Sequence, residues 1–308
     1  MNLFDYILSM TLWCRFLSLL FVIAYYSLEP IMTLFTTLQN LVPQQKLSEV
    51  AGRLAQSRHP VVKKMFIRGF ASAYGIKLDE YARGSLSQYE SFNDFFTREL
   101  KPDARPIDQN ADNIVCPADG MVSQIGQISQ GKMLQAKGRY YEVGQLLADH
   151  ELGKTMTDGS FATIYLAPTN YHRVHMPFSG TLVETIYVPG QLFSVNNETA
   201  DNVPDLFARN ERCVCVFDTE FGKACVVLVG AMIVAGIETV ATGKIKRSAT
   251  IQRRIYDLPL QKGDELGRFY LGSTAIVVLP KQAGTAWAAG MEHGAVVQMG
   301  QTMGTFMK

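Results

Sequence analysis

The sequence predicts an α+β fold in which N-terminal amphipathic helices precede a mostly antiparallel, sandwich-like β-sheet body. Residues 33–100 carry apolar side chains at spacings of three and four, which is typical of helices that bury one face. From Ile114 onward the pattern changes to short segments rich in valine, isoleucine and threonine, separated by glycine or proline. Strands and helices do not alternate regularly there, so we do not expect a doubly wound or Rossmann fold.

Two helices are predicted first, in LSEVAGRLAQ and in PVVKKMFIRGFASAYG. Pro60 suits the first turn of the second helix, where its missing N–H costs nothing. That helix also combines Lys63, Lys64 and Arg68 with large apolar side chains. A basic amphipathic helix of this kind can lie on a membrane surface or pack on the main domain, and periodicity leaves both interpretations open.

A third helix is predicted in SFNDFFTREL, with Ser91 as its N-cap and Asp94 as the second member of a weak capping box. The two prolines of KPDARPID end helical structure after it. Seven later segments predict strands: IVCPADGMVSQIGQI, FATIYLAP, GTLVETIYVPG, CVCVFDT, ACVVLVGAMIVAG, ETVATGKI and TAIVVLP. Cys213 and Cys215 share one face of their segment, which indicates core packing.

The composition is that of a globular protein and gives no reason to expect a nucleic-acid partner. The 308 residues are 47% hydrophobic, and the formal net charge of +1 lacks the basic excess of polyanion binders. The five cysteines are too few and too scattered for a disulfide framework, and none pairs with histidine at zinc-ligand spacing. A reducing compartment, and hence the cytoplasmic side, is expected.

An uncharged apolar run, FLSLLFVIAYYSL, occupies residues 16–28. It is marginal for a membrane-spanning helix, which needs about 20 such residues. A signal-anchor helix, a segment lying in the membrane and a start codon assigned too far upstream of Met32 are all compatible with it. No small-residue cleavage site follows, so export is not expected.

Three segments carry side chains suited to catalysis: CPADG (116–120), NYHRVHMPFSG (170–180) and GRFYLGSTAIVV (267–278). Singly, each has a structural explanation as a turn or a loop. Together they supply a nucleophile in Ser273, histidines in His172 and His175 and a carboxylate in Asp119, and a serine hydroxyl needs such a base. The nucleophile elbow of hydrolases is absent, because Ser273 stands in LGSTA and precedes a strand.

LGST near the C-terminus, preceded by KGDELGRFY, resembles the self-processing motif of phosphatidylserine decarboxylases. FNDFFTRELKPDARPID, LQAKGRYY, NYHRVHMP, YVPGQLFSVN and NVPDLFARNERCVCVFDTEFG are also similar to that family, in the same order. The resemblance runs from about Met32 to the end and is to the bacterial membrane-bound type. The departure from the family is the apolar segment before Met32.

The resemblance implies self-cleavage between Gly272 and Ser273 into a β chain, 1–272, and an α chain, 273–308. The Ser273 hydroxyl would attack the preceding carbonyl, with His175 as its base and Asp119 orienting the histidine. Elimination across the resulting ester would free the β chain and leave a dehydroalanine, which would hydrolyse to a pyruvoyl group at the start of the α chain. Gly272 suits this step because it lacks a Cβ.

The resemblance further implies that the pyruvoyl ketone forms a Schiff base with phosphatidylserine and acts as the electron sink for loss of CO2, giving phosphatidylethanolamine. His172 would contact the lipid head group or supply a proton during decarboxylation. No metal and no pyridoxal phosphate are expected. The expected partners are membrane phosphatidylserine and, in a dimer of α–β heterodimers, a second copy of the chain, at the cytoplasmic face of the cell membrane as a peripheral protein.

These inferences divide the chain into an apolar extension (1–31), a helical membrane-associating region (32–105) and a β-rich catalytic domain (106–308). The main alternative is a serine hydrolase or peptidase that uses Asp119, His175 and Ser273 and keeps an intact chain. The sequence is also compatible with a pyruvoyl decarboxylase of a soluble amino acid and with a non-catalytic membrane-bound β domain. The basic amphipathic helix favours a lipid substrate.

Overall fold

An eight-stranded antiparallel sheet forms the centre of the structure, with strand order β12-β7-β8-β9-β14-β5-β2-β16. The computed structural model describes residues 44–231, 236–270 and 273–307. The apolar run at 16–28 therefore lies outside the described residues. The helices that precede this sheet-rich body confirm the predicted α+β class.

The described helices are α1 (Gln44–Ala55), α2 (Pro60–Ala73), α3 (Phe92–Phe96), α4 (Val143–Leu147), α5 (His150–Thr155), α6 (Asn197–Asn202) and α7 (Leu206–Arg209). The strands are β1 (Asn113–Val115), β2 (Gly120–Gln127), β3 (Lys132–Ala136), β4 (Arg139–Glu142), β5 (Ser160–Leu166), β6 (Arg173–His175), β7 (Gly180–Val188), β8 (Arg212–Thr219), β9 (Gly222–Gly230), β10 (Ile237–Thr239), β11 (Gly243–Lys244), β12 (Gln252–Leu260), β13 (Glu265–Phe269), β14 (Ser273–Leu279), β15 (Thr285–Trp287), β16 (Val296–Val297) and β17 (Thr302–Phe306). Each segment predicted as a strand overlaps at least one of them.

The central sheet is buried on both faces, which explains why its strands read as continuous apolar runs. In β14 every residue is buried, and successive side chains pack in different cores. Ala275 and Val277 belong to a core that also contains Val174 of β6 and Phe269 of β13. Ile276 and Val278 belong to a second core on the opposite face. The alternation follows from the two-residue period of a strand.

Smaller elements cover the two faces. Against the first face lie a four-stranded sheet, β11-β10-β13-β6, and a three-stranded sheet, β1-β17-β15. The second face is covered by the β3–β4 hairpin and the short helices α4 to α7, which contribute buried side chains such as Met133, Leu146 and Phe207. The sequence pattern did not predict these helices, because each is only four to six residues long.

Helix α2 begins at Pro60, as predicted, and packs its apolar face on α3. Ile67 and Phe70 are buried, and the Phe70 ring lies 5.2 to 6.2 Å from three aromatic rings of α3. The opposite face of α2 leaves Val61, Lys64 and Arg68 exposed. The apolar face of this helix therefore packs on other parts of the protein, which is one of the two interpretations that the sequence left open. The other face is exposed to solvent.

The N-cap prediction for α3 is confirmed, because the Ser91 side chain accepts a hydrogen bond from the backbone N–H of Asp94 at 3.1 Å. The Asp94 carboxylate accepts a hydrogen bond from the backbone N–H of Glu90. A capping box would require it to accept from the N–H of Ser91, so the predicted capping box does not form. The helix ends at Phe96, earlier than the sequence pattern predicts, and the chain continues to a bridge between Leu100 and Tyr81. Among the described residues no helix is long and apolar enough to span a membrane.

Candidate active site

Backbone hydrogen bonds bring the three predicted segments together. Strand β6, within NYHRVHMPFSG, pairs with β13, which leads into the LGST motif. The N–H of Phe269 also donates to the carbonyl of His172 at 3.0 Å. On the other side of β6, the N–H of His175 donates to the carbonyl of Pro117 in CPADG at 2.8 Å. Segments that lie far apart in the sequence are thus neighbours in the fold.

Ser273 is the first residue of β14, between β9 and β5 in the centre of the large sheet. Because side chains alternate along a strand, Ser273 shares the face of Ala275 and Val277, which is the face that packs against β6 and β13. Its hydroxyl is fully buried and has no hydrogen-bond partner in the part of the chain that the structure describes. A buried hydroxyl in this condition costs about 1–3 kcal/mol. The Thr274 hydroxyl beside it is in the same condition, so it is the place of Ser273 in the LGST motif that makes it the candidate nucleophile.

His172 is also fully buried, and its ring stacks against Phe96 of α3 with centroids 4.0 Å apart. Its Nδ1 lies 2.8 Å from the carbonyl oxygen of Asn170. A carbonyl can only accept, so Nδ1 carries the proton and Nε2 of the neutral ring is a free acceptor. No described residue donates to this Nε2.

Burial keeps His172 neutral, and the Arg98 charge adds to this effect. The Arg98 guanidinium is buried and donates to the hydroxyl of Tyr81 and to the carbonyls of Thr169 and Asn170. It therefore shares the Asn170 carbonyl with His172 and places a positive charge beside the imidazole. Burial, reinforced by this charge, lowers the pKa of His172 to about 3.

His175 is held by two hydrogen bonds of its own. Its Nδ1 lies 2.8 Å from the carbonyl oxygen of Gly263, so Nδ1 is the donor and Nε2 accepts from the Tyr171 hydroxyl at 3.0 Å. Burial is the largest influence and lowers the pKa of His175, while the charges of Glu265 and Asp119 act in the opposite direction. Because Val174 faces the core, alternation along β6 points His175 to the other face of the strand.

The Asp119 carboxylate is bound by Arg105, which no sequence pattern had indicated. The Arg105 guanidinium donates to both carboxylate oxygens, with the shortest contact 2.7 Å from Nη2 to Oδ2. The backbone N–H of Met299 donates to Oδ1 at 2.9 Å. Both side chains of the ion pair are almost fully buried, and the pairing raises the pKa of Arg105.

The structure therefore brings the predicted residues to one region but does not join them in one hydrogen-bonded chain. In the described contacts the Asp119 carboxylate binds Arg105 and not His175, and His175 binds Tyr171 and not Ser273. Gly272 lies outside the described residues. Two of the functional neighbours that were missed, Arg98 and Arg105, stand in FNDFFTRELKPDARPID, which carried the family resemblance.

The chemistry of Ser273 fits a pyruvoyl group made from its own side chain, because its buried hydroxyl has no structural partner among the described residues and lies at the end of a rigid central strand. Within the described ranges, no group of three or more His, Cys, Asp or Glu side chains is arranged to hold a metal ion. The four described cysteines are buried and free, and Cys213 and Cys215 pack in the core as predicted.

Comparisons with known proteins show which family the chain belongs to. The family model described as phosphatidylserine decarboxylase matches residues 92–305, and a second model, described as PSD, matches residues 34–75. The phosphatidylserine decarboxylase proenzyme of Psychrobacter arcticus is 70% identical over 272 residues, which cover 88% of this chain and 98% of the relative. That of Acinetobacter baumannii strain AYE is 56% identical over 271 residues, covering 88% and 95%. The chain therefore belongs to the phosphatidylserine decarboxylase family.

Proposed function

We propose that this chain is the proenzyme of a decarboxylase that converts phosphatidylserine to phosphatidylethanolamine and CO2, and that Ser273 is the source of its pyruvoyl group. The observation that carries the proposal is the buried hydroxyl of Ser273 at the start of a central strand, without a partner in the described structure. The pyruvoyl group supplies a ketone that reacts with the substrate amine and accepts the electron pair left by CO2. The chain's own residues make the group and orient the substrate.

Self-cleavage begins when the Ser273 oxygen attacks the carbonyl carbon of Gly272. An oxygen–carbon bond forms, the peptide C–N bond breaks, and the hydroxyl proton passes to a base. We assign this base to His175 and its electrostatic support to Asp119, whose negative charge acts to raise the pKa of that imidazole. Elimination then leaves the new carboxylate at the end of chain 1–272 and a dehydroalanine at position 273. Water hydrolyses this dehydroalanine to the pyruvoyl group with loss of ammonia.

This assignment requires one rearrangement, because the Tyr171 hydroxyl now occupies the acceptor nitrogen of His175. Hydrogen bonds at catalytic groups often tighten only in the reactive complex, so such a change is compatible with the role. Tyr171→Phe removes the competing donor. We expect this variant to cleave at least as fast as the wild-type chain.

His172 is assigned to decarboxylation. Its Nε2 is a neutral acceptor in a water-poor environment, and Arg98 opposes its protonation. It can accept a hydrogen bond from the amine of the substrate and so orient that amine toward the ketone. The stack on Phe96 fixes the ring for this contact.

Two substitutions separate the histidines. His175→Gln should leave mostly uncut chain, whereas His172→Gln should cleave and then decarboxylate poorly. His59→Gln, which removes the exposed N-cap residue of α2, is the matched control and should behave as wild type in both assays. Gel analysis of cleavage and release of labelled CO2 are the readouts. If only His172→Gln blocks cleavage, the free Nε2 of His172 is the base and the two roles are exchanged.

Ser273 separates the decarboxylase from the serine hydrolase. Ser273→Ala should neither cleave nor decarboxylate, while Ser273→Cys should cleave slowly, because a thiol can make the same acyl shift. Borohydride added with substrate should attach the lipid amine to the small chain of the wild type only. Reaction of uncut wild-type protein with a fluorophosphonate at Ser273, without a ketone, would support a hydrolase instead.

We further propose that the enzyme acts at the cytoplasmic membrane surface, as a dimer of α–β heterodimers, with the exposed face of α2 toward lipid. The exposed Val61, Lys64 and Arg68 support this orientation, because apolar and basic side chains together favour an anionic interface. Replacing all three with serine or glutamine should reduce flotation with phosphatidylglycerol vesicles. Activity on detergent-dispersed substrate should persist, because the buried face of α2 is unchanged.

A further inference from the structure

A cavity of about 310 Å³ lies between the β10–β11 hairpin and strands β7, β8 and β12. Its buried lining includes Thr185, Tyr187 and Cys213, and its exposed lining carries the cations Lys244, Lys246 and Arg254. The volume falls at the lower end of the range of about 300–1,000 Å³ that is usual for small-ligand pockets. No acidic side chain lines it among the residues described.

The three cations have no ion pair with any described carboxylate. Lys244 places its ammonium 4.7 Å from the ring centroid of Tyr270, and no salt bridge involves Lys246 or Arg254 within the described ranges. By contrast, Arg105 and Arg268 each pair with carboxylates, at distances from 2.6 to 3.7 Å. Three like charges without such a pair therefore line one concavity.

The two carboxylates in this neighbourhood are already neutralised by other groups. Glu211 binds the Arg247 guanidinium at 2.9 Å and accepts from the Tyr187 hydroxyl at 3.0 Å. Glu238 pairs with Arg268 and accepts from the Tyr270 hydroxyl. Glu238 also lies opposite Lys244 in the β10–β11 pair and acts on its charge, so the positive charge left without a nearby carboxylate is that of Lys246 and Arg254.

Holding these cations together costs free energy unless an anion joins them, because like charges repel and burial penalises charge. Desolvation in the concavity lowers the pKa of Lys244, and the charge of Glu238 acts in the opposite direction. An oxyanion with several acceptor oxygens would satisfy the ammonium and guanidinium donors at once, and arginine binds phosphate in bidentate fashion.

The pocket is separate from the decarboxylation site. Cys213 of its floor pairs with Leu228, which pairs in turn with Ala275 of β14. Two strand spacings and two residues along β14 place Ser273 about 12 Å from the Cys213 backbone. In a serine head group the amine and the phosphorus are four bonds apart, about 6 Å at full extension. Arg254 lies two strands farther on, in β12, so one lipid cannot have its amine at Ser273 and its phosphate at Arg254.

We infer that the pocket formed by Lys244, Lys246 and Arg254 is a second binding site, which takes a phosphate group that does not belong to the reacting lipid. Two sources share this chemistry: the head group of a neighbouring anionic phospholipid and free inorganic phosphate. The cavity and its unpaired cations support this site independently of the proposed decarboxylation.

The test compares the purified processed enzyme with a pocket variant, Lys244→Gln/Lys246→Gln/Arg254→Gln. The control variant, Lys132→Gln/Lys223→Gln/Lys281→Gln, removes the same charge from exposed positions outside the pocket. One arm titrates sodium phosphate against sodium chloride of equal ionic strength by calorimetry. The other measures flotation with phosphatidylcholine vesicles that do or do not contain phosphatidylglycerol.

We expect the pocket variant to bind at least about tenfold more weakly than the control in one arm or in both, because three charge-assisted donors are lost. Binding of phosphate without pocket-dependent flotation assigns free phosphate. Pocket-dependent flotation assigns a lipid head group. Equal behaviour of the pocket and control variants in both arms would overturn the inference.

The unliganded pocket variant also provides a folding control. Removing three unpaired like charges should leave its melting temperature equal to or above that of the wild type. If the triple variant does not fold, Arg254→Gln alone replaces it, because this exposed side chain lies on an edge strand. Loss of phosphate or vesicle affinity in that single variant supports the site, and unchanged affinity contradicts it.

Discussion

Keeping His172 neutral inside the fold should make the protein less stable as the pH falls, by an amount that follows from its environment. Burial first, and then the Arg98 charge, lowers the pKa of His172 from 6.5 to about 3. Above pH 6.5 the ring is neutral in both the folded and the unfolded chain and contributes nothing. Below 6.5 the unfolded chain gains a proton that the folded chain excludes, so stability is lost between pH 6.5 and about 3.

One pKa unit corresponds to about 1.4 kcal/mol, so His172 should reduce the free energy of unfolding by about 2 kcal/mol at about pH 5. His172→Gln keeps an amide that can donate to the Asn170 carbonyl but cannot be protonated. Ser273→Ala should keep both proteins in one chain, so the comparison is Ser273→Ala with and without His172→Gln. Urea unfolding at about pH 7.5 and about pH 5 gives four free energies.

The parent should lose about 2 kcal/mol more than the His172→Gln variant between these two pH values. The contribution of His175, whose pKa is also lowered, is present in both proteins and cancels in the difference. His59→Gln serves as the control and should match the parent. Equal losses in the parent and in the His172→Gln variant would refute the claim that His172 is buried as a neutral ring.

Two further substitutions test the packing that supports the site. Arg105→Met leaves the buried Asp119 carboxylate without its cation and should cost about 3–5 kcal/mol in urea unfolding, whereas Arg83→Met, at a partly exposed ion pair, should cost about 1 kcal/mol or less. A smaller loss for Arg105→Met than for Arg83→Met would contradict the structure. Gly159→Ala would place a Cβ 2.0 Å from a β14 carbonyl oxygen and should destabilise by about 1–3 kcal/mol, while Gly84→Ala, which meets nothing within 4 Å, should be close to neutral. Comparable melting temperatures for the two alanine variants would show that β14 does not pack as described.

Sequence patterns predicted the strands well because both faces of the central sheet are buried. The continuous apolar run TAIVVLP predicts a strand for this reason, and the structure has strand β14 there, at Ser273–Leu279. The short helices were missed because four to six residues are too few to show a helical period. The end of α3 at Phe96 was also missed, since the pairing of Leu100 with Tyr81 depends on a contact distant in sequence.

The candidate site was predicted as a set of residue types, but their partners were not. Asp119, the two histidines and Ser273 were identified from three short segments, and the structure brings those segments together through backbone pairing. Arginines are mostly exposed in proteins, so nothing in the pattern indicated that Arg98 and Arg105 would be buried beside these groups. Only their place in a segment with family resemblance could have drawn attention to them.

Whether Ser273 becomes the pyruvoyl group of a self-cleaved decarboxylase can be read from the intact mass of the purified protein under denaturing conditions. We expect two chains, residues up to 272 and residues 273–308. The small chain should be lighter by one ammonia molecule than a peptide that begins with serine, and it should resist Edman degradation. A single uncut chain that decarboxylates phosphatidylserine, or a small chain that begins with an intact serine, would contradict the proposed origin of the pyruvoyl group.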